Sequence, residues 1–143
     1  MGNQIVKTII VKGQSPDLFR AWLNFGNHPQ FMEKVVSVDR PGPDTNHWRM
    51  EGLTESELEW TTRTTREEPS KRIAWKTIEG DLKTSGQVTF TDLPQGETEI
   101  TVTTQTVPPD DLVELEASAI FADEAAQLTR DLRNFKAMVE GRS

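Results

Sequence analysis

The sequence predicts an α+β fold: a curved antiparallel sheet of six or seven strands around one long C-terminal helix, with two short helices between the first and second strands. Three observations carry this expectation. Five consecutive segments alternate apolar and polar residues, the pattern of strands with one covered face. The links between them are only a few residues long, whereas parallel strands would need crossovers of about a dozen or more. The final segment drops that alternation and places apolar residues at helical spacing.

Taken in order, Gln4 to Lys12 alternates and is rich in Ile and Val, a first strand. Ser15-Pro16-Asp17 supplies an N-cap with proline in the first helical position; Leu18, Phe19, Trp22 and Leu23 follow at helical spacing, and Gly26 ends the helix. Asn27-His28-Pro29 starts a second short turn carrying Phe31 and Met32. Strands are expected at 35–40, 46–52, 55–67, 72–79, 85–92 and 97–107, with Pro41-Gly42-Pro43-Asp44 as the first breaker.

The alternation defines a dry face. Trp48 and Met50 oppose His47, Arg49 and Glu51, and Leu58 and Trp60 oppose Glu57, Glu59 and Thr61. Ile73 and Trp75 oppose Arg72 and Lys76, although Ala74 and Ile78 blur this strand. Val88 and Phe90 oppose Gln87, Thr89 and Thr91, while Ile100 and Val102 oppose Glu99, Thr101 and Thr103. The cover is the last segment, which Pro108-Pro109-Asp110-Asp111 sets off. Phe121, Ala125, Leu128, Leu132, Phe135 and Val139 recur every three or four residues as one stripe, with Asp131, Arg133, Asn134, Lys136 and Glu140 on its flanks or opposite side. Leu112 to Ile120 is also helix-compatible, with a bend expected near Ala122-Asp123. Sheet and helix bury each other's apolar faces in one domain over 1–143.

Composition narrows the function classes. Sixteen basic against 23 acidic residues give a formal charge of −7, which repels phosphate backbones and anionic membranes, so nucleic acid is not an expected partner. No stretch approaches the ~20 apolar residues of a membrane span, so stable membrane insertion is not expected, and the N-terminus lacks the regions of a signal peptide. A cytoplasmic location is expected. The absence of cysteine excludes disulfides, thiolate metal sites and cysteine nucleophiles, and the absence of tyrosine removes a phenol as general acid. No nucleophile elbow, phosphate-cradling glycine loop or dinucleotide fingerprint is present.

Several segments together carry a resemblance to a known family. They are Asp17-Leu18-Phe19-Arg20-Ala21-Trp22 with Asn27-His28-Pro29-Gln30-Phe31-Met32; Asn46-His47-Trp48-Arg49; Arg72-Ile73-Ala74-Trp75-Lys76 with Gly80; Ser85-Gly86-Gln87-Val88-Thr89-Phe90; and Leu132-Arg133-Asn134-Phe135-Lys136. Over nearly its whole length the chain resembles the polyketide cyclase/dehydrase branch of the START and birch-pollen-allergen-like superfamily. The resemblance implies a helix-grip fold with a pocket between sheet and helix. It also implies a hydrophobic ligand such as a lipid, quinone or polyketide, or, as an alternative, cyclase/aromatase or dehydratase activity in the same cavity. Such pockets are typically ~300–1,000 Å3 and apolar, with a few polar groups that orient the guest.

The dry face supplies the candidate ligand-binding residues Trp48, Met50, Trp60, Thr62, Trp75, Thr77 and Phe90; the helix supplies Phe121, Leu128 and Leu132. Indoles stack on flat guests, or else fill the concavity as core. Thr62, Thr64, Thr77 and Thr104 are in phase with the dry face and either orient a guest or bond neighbouring strands. No His, Asp, Glu or Lys is in phase with it, so no catalytic residue is assigned. His28 is expected to cap or lie at the surface, and His47 to lie on the outer face. Glu55, Glu57 and Glu59 are expected in a solvated charge ladder with Arg49, Arg63, Arg72 or Lys76. Two histidines without cysteine or ligand spacing make no metal site, and no cofactor is expected. Gly80, Gly86 and Gly96 are expected at turns and bulges. The expected partner is a small hydrophobic molecule held by a monomer or weak homodimer; an interaction protein with a vestigial cavity is a third alternative.

Overall fold

The computed structural model describes residues 3–51, 57–80, 83–107 and 114–141, with side chains described for 4–24, 28–50, 58–80, 83–106 and 124–141. The elements are β1 (Asn3–Lys12), α1 (Ser15–Leu23), a 3-10 helix (Phe25–Gln30), β2 (Val35–Gly42), β3 (Thr45–Glu51), β4 (Glu57–Glu68), β5 (Arg72–Gly80), β6 (Lys83–Leu93), β7 (Glu97–Val107) and α2 (Glu114–Glu140). A short 3-10 turn, Pro94–Gly96, joins β6 to β7. All seven strands form one antiparallel sheet in the order β1-β7-β6-β5-β4-β3-β2. Strands β2 to β7 form a meander, as the short connections dictate, and β1 returns to pair with β7. This is the expected helix-grip arrangement.

The differences lie at breaks. Helix α1 starts at Ser15 rather than after it, and Asp92 Oδ1 of β6, not the Ser15 hydroxyl, accepts a hydrogen bond from Ser15 N at 3.4 Å. The helix stops at Leu23, before Gly26, which lies inside the 3-10 segment. Pro41 and Gly42 belong to β2; an edge strand tolerates a proline because its missing N–H interrupts no ladder bond on the open side. Helix α2 runs unbroken through Ala122-Asp123, where alanines on either side favour helix.

The apolar faces meet as the alternation requires. Val11, Ile73, Val88, Ile100 and Val102 of the sheet are buried with Leu18, Phe19 and Trp22 of α1 and Leu132 and Phe135 of α2. Phe135 sits at the centre of an aromatic knot, with its ring centroid 5.1 Å from those of both Trp22 and Phe31. His28 belongs to this knot. It is 1% exposed, its ring lies 4.9 Å from Phe31 and 5.4 Å from Trp22 and Trp48, and its Nε2 donates to the Trp22 carbonyl at 2.8 Å. The surface or capping role expected for it is therefore wrong. The 3-10 turn folds the imidazole inward, where burial lowers its pKa to about 4 against the smaller effect of the Trp22 hydrogen bond.

A polar seam ties α2 to the loop after the 3-10 helix. Asp131, expected on a flank, is buried: Oδ1 accepts from Gln127 Nε2 at 2.8 Å and from Glu33 N at 3.3 Å. Burial raises its pKa, against those hydrogen bonds. Asn134 Nδ2 donates to the Phe31 carbonyl at 3.0 Å, and Lys136 Nζ to that of Ile10 at 2.7 Å. These contacts fix the C-terminal half of α2 across one half of the sheet.

Candidate functional site on the concave face

The interior face of the sheet changes character along the strands. Toward one end it carries Ile73, Val88, Phe90, Ile100 and Val102, all buried under α1 and the end of α2. Toward the other end the in-phase residues become hydroxyls, amides and half-buried indoles.

Trp48 and Trp60 are directly paired across β3 and β4, and their rings stack with centroids 6.1 Å apart and planes 6° from parallel. Trp60 is buried, Trp48 half-buried, and Trp48 Nε1 donates to Thr62 Oγ1 at 3.0 Å. Trp75 lies half-buried on β5, opposite Gly86 of β6. Gly86 is a mid-strand position with unbroken register, not a turn or bulge. Its lack of a side chain leaves room for the indole: a Cβ there would lie 3.0 Å from Trp75 Cζ2 and run into the Thr103 carbonyl. Gly86→Ala is accordingly expected to cost about 1–3 kcal/mol by overpacking, read as a lower urea midpoint. Gly80 has φ +123° and passes against the backbone of Trp60, where no side chain fits.

Register places a row of polar side chains across this face. Asn46 pairs with Thr62, Thr62 with Thr77, and Thr84 with Thr106. Thr77 Oγ1 accepts from Thr84 N at 2.9 Å and donates to the Thr84 carbonyl at 3.0 Å, closing the step from β5 to β6. The hydroxyls of Thr84 and Thr106 lie 3.3 Å apart, and Thr106 Oγ1 donates to Glu124 Oε2 of α2 at 2.9 Å. Burial raises the pKa of Glu124, opposed by the Thr106 hydrogen bond. Among the described residues, Glu124 Oε1, Thr104 Oγ1 and Asn46 Oδ1 are buried without hydrogen-bond partners.

The candidate residues divide accordingly. Trp48, Met50, Trp75, Thr77 and Leu128 are half-buried; Trp60, Thr62, Phe90 and Leu132 are buried. Phe121 lies in α2, and its side chain falls outside the described residues. The expectation that no ionisable group shares the dry face is overturned. Glu124 reaches Thr106 from α2, His28 closes on Trp48, and Lys7 pairs with buried Val102, which puts it on the interior side of β1. Asn46, Thr84 and Thr106 were equally within reach of the period-two phase set by Trp48, Val88 and Val102. Glu124 was not, because its helical position falls between the stripe and its flank.

The outer face behaves as expected for His47, whose Nδ1 meets Thr61 Oγ1 and Nε2 meets Glu59 Oε1, both at 2.9 Å. In the expected charge ladder Glu59 lies directly opposite Arg49 across β3 and β4, while two of the arginines take other partners. Arg63 pairs with Asp44 at 3.5 Å and Arg72 with Glu68 at 3.3 Å; Glu55 and the Glu57 side chain lie outside the described residues. An open groove of about 450 Å3 where Leu23, Arg40 and Asp44 meet Thr64, Arg66 and Glu67 has a lining of mixed sign. Among the described residues no group of three or more His, Asp or Glu could hold a metal ion, and no helix is long and apolar enough to cross a membrane.

A seven-stranded sheet gripping a long helix over a face graded from apolar to polar defines a protein of the helix-grip fold. The comparisons agree. Residues 13–133 match the model of the family described as polyketide cyclase / dehydrase and lipid transport, and the chain belongs to that family. An uncharacterized 17.2 kDa protein of Streptomyces lincolnensis is 27% identical over 124 residues, covering 87% of this chain and 81% of that one. Solved structures that share the fold include two from actinobacteria. The Zhui aromatase/cyclase from Streptomyces sp. R1128 has a TM-score of 0.85 at 16% identity, covering 99% of this chain and 96% of that one. A START superfamily protein from Mycobacterium smegmatis has a TM-score of 0.79 at 12% identity, with 95% and 98% covered.

Proposed function

We propose that the protein binds a small hydrophobic molecule between the concave face and α2, in contact with Trp48, Met50, Trp75 and Leu128. The single observation that carries this reading is incomplete burial on the dry face. Trp48 and Trp75 are large aromatics in phase with a buried core, yet only half-buried, while their neighbours Trp60, Ile73 and Val88 are sealed. Apolar surface in a concave, aromatic-rich setting gains free energy from any apolar guest that displaces water, about 25 cal/mol per Å2. Family membership supports the same class of ligand.

Native mass spectrometry of the purified protein, with organic extraction, tests the proposal. The expected result is a co-purifying apolar molecule, or indole quenching that saturates on addition of a naphthoquinone. The absence of both a bound mass and a saturable change in fluorescence with quinones or fatty acids would refute it.

A second reading, cyclase or dehydratase chemistry in the same space, is favoured by Glu124. A partly buried carboxyl with a raised pKa is the type of group that delivers a proton to a departing hydroxyl, which leaves as water while the neighbouring α-carbon gives up its own proton to solvent and the C=C bond forms. Turnover of a β-hydroxyketone, abolished in Glu124→Gln with binding retained, would establish it.

A further inference from the structure

We infer that Glu124 Oε1 and Thr104 Oγ1, beside the indole of Trp75, form a polar anchor that selects guests bearing a neutral oxygen function, a ketone or hydroxyl, over anionic acids. This deepens the proposed function and depends on it, because an anchor needs an apolar guest to hold. The geometry assigns the site in three steps. Thr104 and Thr106 lie two residues apart on β7 and so share the interior face. Thr104 pairs with Gly86, which in turn pairs with Trp75, so the hydroxyl and the half-buried indole lie on neighbouring rungs of the sheet, separated only by a glycine. Glu124 is held against Thr106 through Oε2, and Leu128, one turn further along α2, extends the same helix face in apolar form.

This arrangement leaves two buried oxygens, Glu124 Oε1 and Thr104 Oγ1, without partners among the described residues. Buried polar atoms are normally hydrogen-bonded, and a pair left open beside an aromatic plane is a recognition element. Burial favours the protonated form of Glu124, which gives it an O–H to donate, and the Thr104 hydroxyl can donate or accept. A carbonyl or hydroxyl satisfies both. A carboxylate or phosphate beside Glu124 would leave two acids to share one proton in a desolvated site, and loss of that proton would set two negative charges side by side, in a chain whose formal charge is already −7. Lys7 shares the face, but it sits opposite Val102, one inward position from Thr104 toward the sealed end of the sheet and two from Thr106, which holds Glu124.

Three probes of nearly equal size separate the possibilities by titration calorimetry at neutral pH: acetylnaphthalene, ethylnaphthalene and naphthoate. The expected order is ketone first, the hydrocarbon about five- to tenfold weaker and the carboxylate weaker still. Thr104→Val should erase most of the ketone's advantage while leaving hydrocarbon binding within about twofold, which also reports that the variant is folded. Glu124→Gln should bring naphthoate to within about threefold of the hydrocarbon. Equal binding of ketone and hydrocarbon by the unaltered protein, naphthoate binding as tightly as the ketone, or preferences unchanged in both variants would overturn the anchor while leaving apolar binding intact. Failure of all three probes to bind would remove the proposed function and the anchor with it.

Discussion

Phe135→Ala is expected to lower the unfolding free energy by about 3–5 kcal/mol, the largest single effect of any substitution considered. The side chain is fully buried, and its ring is the contact through which α2 meets both Trp22 of α1 and Phe31 after the 3-10 helix. Truncation removes the transfer free energy of a benzyl group. It also leaves a cavity that neighbours from three different elements cannot collapse into without moving those elements. Against a typical total of about 5–15 kcal/mol, such a loss brings a domain of this size close to unfolding at ambient temperature. Urea denaturation followed by tryptophan fluorescence reads it directly. A loss under about 1 kcal/mol would mean that α2 does not grip the sheet through this residue.

The second large effect is acid lability through His28. An exposed imidazole takes up its proton near its ordinary value of 6.5, whereas the buried ring does so only at about 4. Between those values the unfolded chain binds the extra proton and the folded chain does not, so stability falls as pH falls through this window and is fully present above it. The interval corresponds to about 3 kcal/mol. Glu124 and Asp131, whose pKa values burial raises, act in the opposite sense: their stabilising protonation is present at low pH and lost as pH rises through their folded-state values. The comparison with His28→Gln isolates the histidine. The variant should be less stable at neutral pH, yet lose about 3 kcal/mol less than the unaltered protein between about pH 7 and about pH 4. Parallel stability profiles would mean that the imidazole titrates in water, outside the knot.

The fold was legible because strands and helix each announce themselves by period. Trp48-Met50, Val88-Phe90 and Ile100-Val102 alternate without ambiguity, and Leu128-Leu132-Phe135 repeats at helical spacing, so both layers and their facing sides follow from the sequence alone. Where the pattern blurred, the structure supplies a cause. Ile78 breaks the alternation of β5 because the pairing with β4 shifts between Thr62↔Thr77 and Thr61↔Glu79, leaving it the extra, exposed residue. The site was half legible. Thr62, Thr77 and Thr104 follow from phase, but their partners do not: only register brings Thr84 and Thr106 into the same row, and only the docking of α2 brings Glu124 to its end. His28 was misread for a related reason. A His-Pro pair at a helix start looks solvent-facing in sequence, and nothing local reveals that the 3-10 turn points its ring at Trp22 and Trp48.

The indole N–H resonances of the four tryptophans, followed in a proton–nitrogen correlation spectrum during titration with acetylnaphthalene, interrogate the interior face directly. Trp48 and Trp75, the half-buried pair, should move progressively to saturation, while Trp22, sealed on the inner side of α1 against Phe135, stays in place. Four unmoved indoles at saturating probe, or a shift confined to Trp22, would contradict a guest between sheet and helix.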